Sequence, residues 1–148
     1  MPQSLSRVLI HLVFSTKNRA PMIREDRSER LFAYLAGTLK GMDCPVVTVG
    51  GFSDHAHLLF VQARTRSLSE IVEELKKESS KWAKKNIHAR FYWQSGYAAF
   101  SVSPSNVDKV KAYIDDQAKH HKVMTFQDEL RKLLRRHGIE WDERYVWD

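Results

Sequence analysis

Two histidines one residue apart, His55-Ala56-His57, interrupt an apolar run in the stretch GFSDHAHLLF. In an extended strand side chains alternate faces, so both imidazoles project one way and Ala56 the other. Such a pair can give two nitrogens to a metal ion, or it can be two polar groups on a solvated sheet face. A metal centre needs at least one more ligand. The segment KAYIDDQAKHH, residues 111–121, offers one. Tyr113 and Gln117 are four residues apart, so on a helix they share a face, one turn from each other. Neither falls on the Val107, Val110 and Ile114 stripe expected to face a core. The pair reads either as the flank of an amphipathic helix or as a nucleophile and a metal ligand held side by side. His120 and His121, three and four residues after Gln117, are rival ligands. Asp54 is assigned a turn or supporting role, because in a regular strand it points away from both rings.

Five tyrosines compete as nucleophile. Tyr34 lies on an apolar helix face. Tyr92 and Tyr97 flank WQSG at a strand start, where core packing is expected ahead of base stacking. Tyr145 sits in the tail WDERYVWD. Tyr113 alone has a ligand-type residue one helical turn away.

The elements that must position these groups are legible from pattern. SRVLIHLVFST, CPVVTVGG, HAHLLFVQA and YAAFSVS read as four strands, the middle two close enough for a hairpin. DRSERLFAYLAGTLKGM carries apolar residues at helical spacing and stops near Gly41. Ser67-Leu68-Ser69-Glu70 is a capping box opening a helix with a Leu68, Ile71, Val72, Leu75, Trp82 stripe. Ser105 is expected to cap a helix running to about His121, and a last helix spans Thr125 to Arg136, ended by Gly138. The order β-α-β-β-α-β followed by helices predicts an α+β, ferredoxin-like fold. Its antiparallel sheet carries helices on one face and leaves the other free for a ligand or partner.

The chain has 148 residues and no repeat or linker, and it is expected to be one domain. Lysine and arginine number 24 against 18 acidic residues, a surplus that favours a polyanionic partner. The single cysteine, Cys44, excludes an internal disulfide and a cysteine-based zinc cluster. A cytoplasmic location is expected. Neither a signal peptide nor a membrane span is recognisable. No phosphate-loop motif is present, so no nucleotide cofactor is expected.

The combination resembles a known family. His55-Ala56-His57 matches a His-hydrophobic-His motif, and Tyr113 with Gln117 matches the Tyr-x-x-x-Gln helix of the single-tyrosine HUH transposases of small insertion sequences. HLVFSTKNRAPMI, SDHAHLLF and FYWQSGYAAFSVSPSNVDKVKAYIDDQ agree in order, so the resemblance runs from His11 to about Gln127. The REP-associated tyrosine transposases share these motifs. The resemblance implies cleavage and rejoining of single-stranded DNA at element ends, with recognition of DNA hairpins. Tyr113 would attack a phosphodiester and become joined to the 5′ phosphate, releasing a 3′-OH. His55, His57 and Gln117 would hold a divalent ion, Mg²⁺ or Mn²⁺. The family's homodimers join their sheets across subunits, and the tyrosine helix of one chain often completes the histidine pair of the other. Candidate DNA contacts are Lys17, Asn18 and Arg19 after the first strand, Arg24 behind them, and Lys81 and Lys85 on the second helix. Two other readings fit the same residues: a single-strand binding module without catalysis, and a phosphodiesterase in which metal-bound water attacks and Tyr113 is a bystander.

Overall fold

The computed structural model describes residues 2–148. Four strands, β1 (Leu9–Ser15), β2 (Val46–Phe52), β3 (His55–Val61) and β4 (Ala98–Val102), form one antiparallel sheet in the order β2-β3-β1-β4. Helix α1 (Glu25–Gly41) connects β1 to β2, and α2 (Leu68–Asn86) connects β3 to β4. Three helices follow: α3 (Val107–Asp115), α4 (Gln117–His120) and α5 (Phe126–Arg136). This is the ferredoxin-like order expected from the sequence. Ser67 caps α2, its hydroxyl accepting from the Glu70 amide.

Alternation along the strands sorts two cores. Ile10, Leu12, Phe14, Ala56, Leu58 and Phe60 point to one face, where Leu31, Leu35 and Leu39 of α1 and Ile71 and Leu75 of α2 bury them. Full burial of each leucine, isoleucine or phenylalanine among them contributes roughly 1.5–3 kcal/mol. The other face carries His11, Val13, His55, His57 and Phe100. It is covered by α5, whose Phe126, Leu130, Leu133 and Leu134 pack with Val13 and Phe100. The second face is therefore not free. All seven residues of β1 are buried, as they must be in a strand covered on both sides.

Helix α3 lies directly on β2. A Cβ at Gly50 would stand 2.8 Å from the Ile114 carbonyl oxygen, so only glycine lets the helix sit this low. Thr48 Oγ1 donates to Asp115 Oδ1 at 2.6 Å beside it. The single helix expected to reach His121 is two. Asp116, with φ −97° and ψ 18°, ends α3, and α4 starts afresh. Two adjacent carboxylates at the negative end of a helix dipole disfavour its continuation. A turn, Pro104–Asn106, precedes α3, so Asn106 and not Ser105 stands at its N-cap, without a side-chain capping bond. Tyr92 and Tyr97 are exposed, contrary to the core packing expected for them. Lys84 and Lys76 lie over their rings.

Candidate active site

The strand register sets the imidazoles. His57 is opposite Val13 on β1, and His11, two residues before Val13, points to the same face. His11 and His57 meet through Nε2 and Nδ1 at 2.8 Å with their rings stacked. His55, His57 and His11 are all buried. The other half of the site comes from the C-terminal helices. Gln117 Oε1 accepts from His55 Nε2 at 2.8 Å and from His121 Nε2 at 3.1 Å. The Tyr113 ring stands edge-on to His57 at 5.7 Å between centroids. One chain thus brings Tyr113 and Gln117 to its own histidine pair.

The centre of the cluster is a residue that the sequence reading did not select. Glu129 of α5 is 2% exposed. Its Oε1 accepts from His57 Nε2 and His121 Nε2, each at 3.1 Å, and lies 3.3 Å from His55 Nε2. Its Oε2 accepts from Gln117 Nε2 at 3.0 Å and from the Tyr113 hydroxyl. A signal existed: Glu129 is the one charged position on the apolar stripe Phe126, Leu130, Leu133, Leu134, and a buried carboxylate needs partners. His11 gave a similar signal as an isolated polar residue in an apolar strand.

Burial opposes charge on every group here, and hydrogen bonds decide which groups keep one. Burial lowers His57, and lowers His11 further still with help from His57, so both are neutral at pH 7. His55 is also penalised by burial. Its Nδ1 donates to Asp54 Oδ1 at 2.7 Å, and with Glu129 beside Nε2 it is raised to about 9. Asp54 therefore touches the ring it was expected to point away from, because β3 begins at His55 and Asp54 belongs to the turn. Burial acts to raise the Glu129 carboxyl, but the three histidines hold it far below the usual carboxylate range. Burial and the Glu129 charge push the Tyr113 phenol well above its ordinary value.

His55 Nε2, His121 Nε2 and a Glu129 oxygen lie within 4.8 Å of one another, a spacing that can hold a metal ion. The donor chemistry fits: neutral imidazole nitrogens with a carboxylate and an amide oxygen suit Mn²⁺ or Zn²⁺ more readily than Mg²⁺. Asp54 on His55 Nδ1 is the kind of outer contact that orients a metal-binding imidazole. The trio does not include His57, whose Nε2 donates to the same Glu129 oxygen. His120 turns instead to Tyr113, with ring centroids 4.8 Å apart.

The Lys17–Arg19 turn follows β1 at the end of the sheet where His55 begins, since Thr16 N donates to Asp54 O at 2.8 Å. Asn18 and Arg19 both take positive φ there, and the Arg19 guanidinium lies over Trp147. Arg24 pairs with Asp26 at 3.5 Å, and Lys81 with Glu78 at 3.8 Å. Helix α2 packs on the face opposite the histidines, so Lys81 and Lys85 are not brought to the cluster.

The four-stranded antiparallel sheet with helices packed on it matches the fold of a tyrosine transposase. The family described as "Transposase IS200 like" matches residues 4–117, and the chain belongs to it. Two solved structures are similar. One, described as a transposase from Deinococcus radiodurans R1, is 19% identical with a TM-score of 0.61, over 79% of this chain and 98% of that one. The other, a REP-associated tyrosine transposase bound to a REP hairpin, is 14% identical with a TM-score of 0.60, over 82% of this chain and 73% of that one. No curated protein matches the chain. No helix among the described residues is long and apolar enough to cross a membrane.

Proposed function

We propose that this transposase cleaves and rejoins single-stranded DNA in the cytoplasm through a covalent link between Tyr113 and a 5′ phosphate. It recognises DNA hairpins at the ends of an element and works as a homodimer. The observation that carries the reading is the convergence of Tyr113, Gln117, His55 and His57 in one buried cluster. The Tyr113 oxygen bonds to phosphorus, the bond from phosphorus to the 3′ oxygen breaks, and the leaving oxygen departs as a 3′-OH. Glu129 Oε2 already accepts from the phenol whose proton must leave. His55, His57 and Gln117, joined by His121 and Glu129, would hold a divalent ion, Mn²⁺ or Mg²⁺. A bound ion supplies charge withdrawal from the scissile phosphate and steadies the leaving oxygen. His11 on His57 Nδ1 and Asp54 on His55 Nδ1 fix both ring orientations. Because the bond energy is kept in the phosphotyrosine, rejoining needs no nucleotide.

Wild-type protein incubated with end-labelled single-stranded hairpin DNA and Mn²⁺ should give a protein-linked product on a denaturing gel. His57→Ala should abolish it while leaving hairpin binding within a few-fold. Equal cleavage by His57→Ala, or cleavage insensitive to EDTA, contradicts the reading.

A pH dependence follows from the His55–Glu129 pair. His55 rises from 6.5 to about 9 on folding, so its contribution is complete below pH 6.5 and disappears as pH climbs through about 9. Glu129 falls below 4.5, so its contribution is complete above pH 4.5 and is lost only in strong acid. Melting temperatures of the metal-free protein in EDTA should therefore decline from pH 6.5 toward pH 9. Mn²⁺ affinity should increase over the same interval, because the ion competes with the His55 proton. Melting and affinity curves that are flat across it would remove the charged pair.

A further inference from the structure

Tyr113 stands between two clefts. On one side β4, the start of α3 and the end of α5 enclose a cavity of about 390 Å³, within the ~300–1,000 Å³ typical of small-ligand pockets. Its floor is His11, which holds His57, and Phe100, on which His137 stacks at 4.4 Å between centroids. Val102, Val110 and Leu133 form apolar walls. On the other side a cavity of about 240 Å³ runs past Glu129 and Lys132. Tyr113, Leu133 and Arg136 border both.

The charge in the first cleft is of one sign. Lys109 and Arg136 line it, and no carboxylate does among the described residues. Two other cations of the same helices are neutralised: Lys111 pairs with Asp115, and Arg131 with Asp128 and Glu143. Lys109 and Arg136 have no acidic partner within 4.0 Å among the described residues. An apolar slot with two free cations at its mouth, beside a nucleophile for phosphorus, matches a base with its flanking phosphates.

We propose that this cleft binds one unpaired nucleotide of the DNA strand, next to the phosphate that Tyr113 attacks. The base enters between Val102, Val110 and Leu133 over the Phe100–His137 stack, and Lys109 and Arg136 hold the neighbouring phosphates. A base must be out of a duplex to enter such a slot, so the cleft selects single strands. The assignment rests on Tyr113 being the nucleophile.

The test is fluorescence anisotropy with a short fluorescein-labelled oligothymidylate, titrated at several salt concentrations. Each phosphate contact on a single strand contributes about 0.7 to the slope of log affinity against log salt. The double variant Lys109→Gln/Arg136→Gln should therefore lose about 1.4 from that slope. Val102→Trp, which fills the slot, should weaken binding about tenfold at unchanged slope, with the melting temperature confirming that it folds. The surface double variant keeps the test open if the tryptophan does not fold. Failure of the wild-type protein to bind the oligothymidylate, or wild-type affinity and slope in both variants, overturns the proposal. The nucleophile reading fails separately: an adduct that persists in Tyr113→Phe removes it, whatever the cleft variants do.

Discussion

Tyr113→Phe is expected to leave hairpin binding unchanged and to remove the protein–DNA adduct to below detection. The substitution deletes one oxygen from a half-buried ring packed between His57, His11 and His120, so the cluster loses a hydrogen bond to Glu129 but keeps its shape. No other tyrosine can replace it. Tyr34 stacks on Trp82 on the far side of the sheet, and Tyr92, Tyr97 and Tyr145 are exposed and make no contact with the cluster. The experiment also separates the covalent route from attack by metal-bound water. If water were the nucleophile, Tyr113→Phe would still cut hairpin DNA and the wild-type protein would give no adduct. Undiminished adduct in the variant would move the nucleophile elsewhere.

Glu129→Gln is expected to have the second-largest effect, on two readouts at once. In EDTA it should lower stability by about 3 kcal/mol, because a buried charge loses its counter-charge while remaining enclosed. For a chain of this size that is a drop of roughly 6–12 °C in melting temperature. Asp54 limits the loss by continuing to hold His55 Nδ1. With metal, the amide offers a neutral oxygen where the carboxylate offered a charged one, so Mn²⁺ affinity should fall by about tenfold or more. Mn²⁺ binding is read by electron paramagnetic resonance, independently of cleavage. Melting and Mn²⁺ affinity both equal to wild type would show that Glu129 is a bystander.

The sequence made much of this site legible, because its chemistry was carried by local spacing. His55-Ala56-His57 follows from the strand period and stands on β3 as expected, while Tyr113 and Gln117, expected on one helix, sit on either side of the break at Asp116 and still both reach Glu129. Glu129 escaped because its meaning is tertiary. It lies seventy-two residues from His57, on a helix whose other face is ordinary and charged, and beyond residue 117, where the family match ends. The coverage of the second sheet face escaped for a related reason. SRVLIHLVF reads as a strand, but from Val8 to Phe14 its apolar residues fall on both faces, broken only by His11, and that also says that both faces are packed. A sheet with one open face would show alternation. The break at Asp116 needed the helix dipole as well as the apolar stripe, and periodicity alone ran through it. Lys81 and Lys85 lie on a helix behind the sheet from the histidine cluster.

Gly50 gives the notion of an active-site residue an unusual member. It touches no substrate atom and has no side chain to do so, yet the height of α3 above the sheet is set where Ile114 meets its bare backbone. Tyr113 is the residue next to Ile114 on that helix. A methyl group at position 50 would push on Ile114 and lift the adjacent phenol away from imidazoles whose own positions are fixed by the strand ladder. The tolerance of the chemistry to distance is thus written in β2 as an empty volume, and a hydrogen atom there does work that no larger side chain could do.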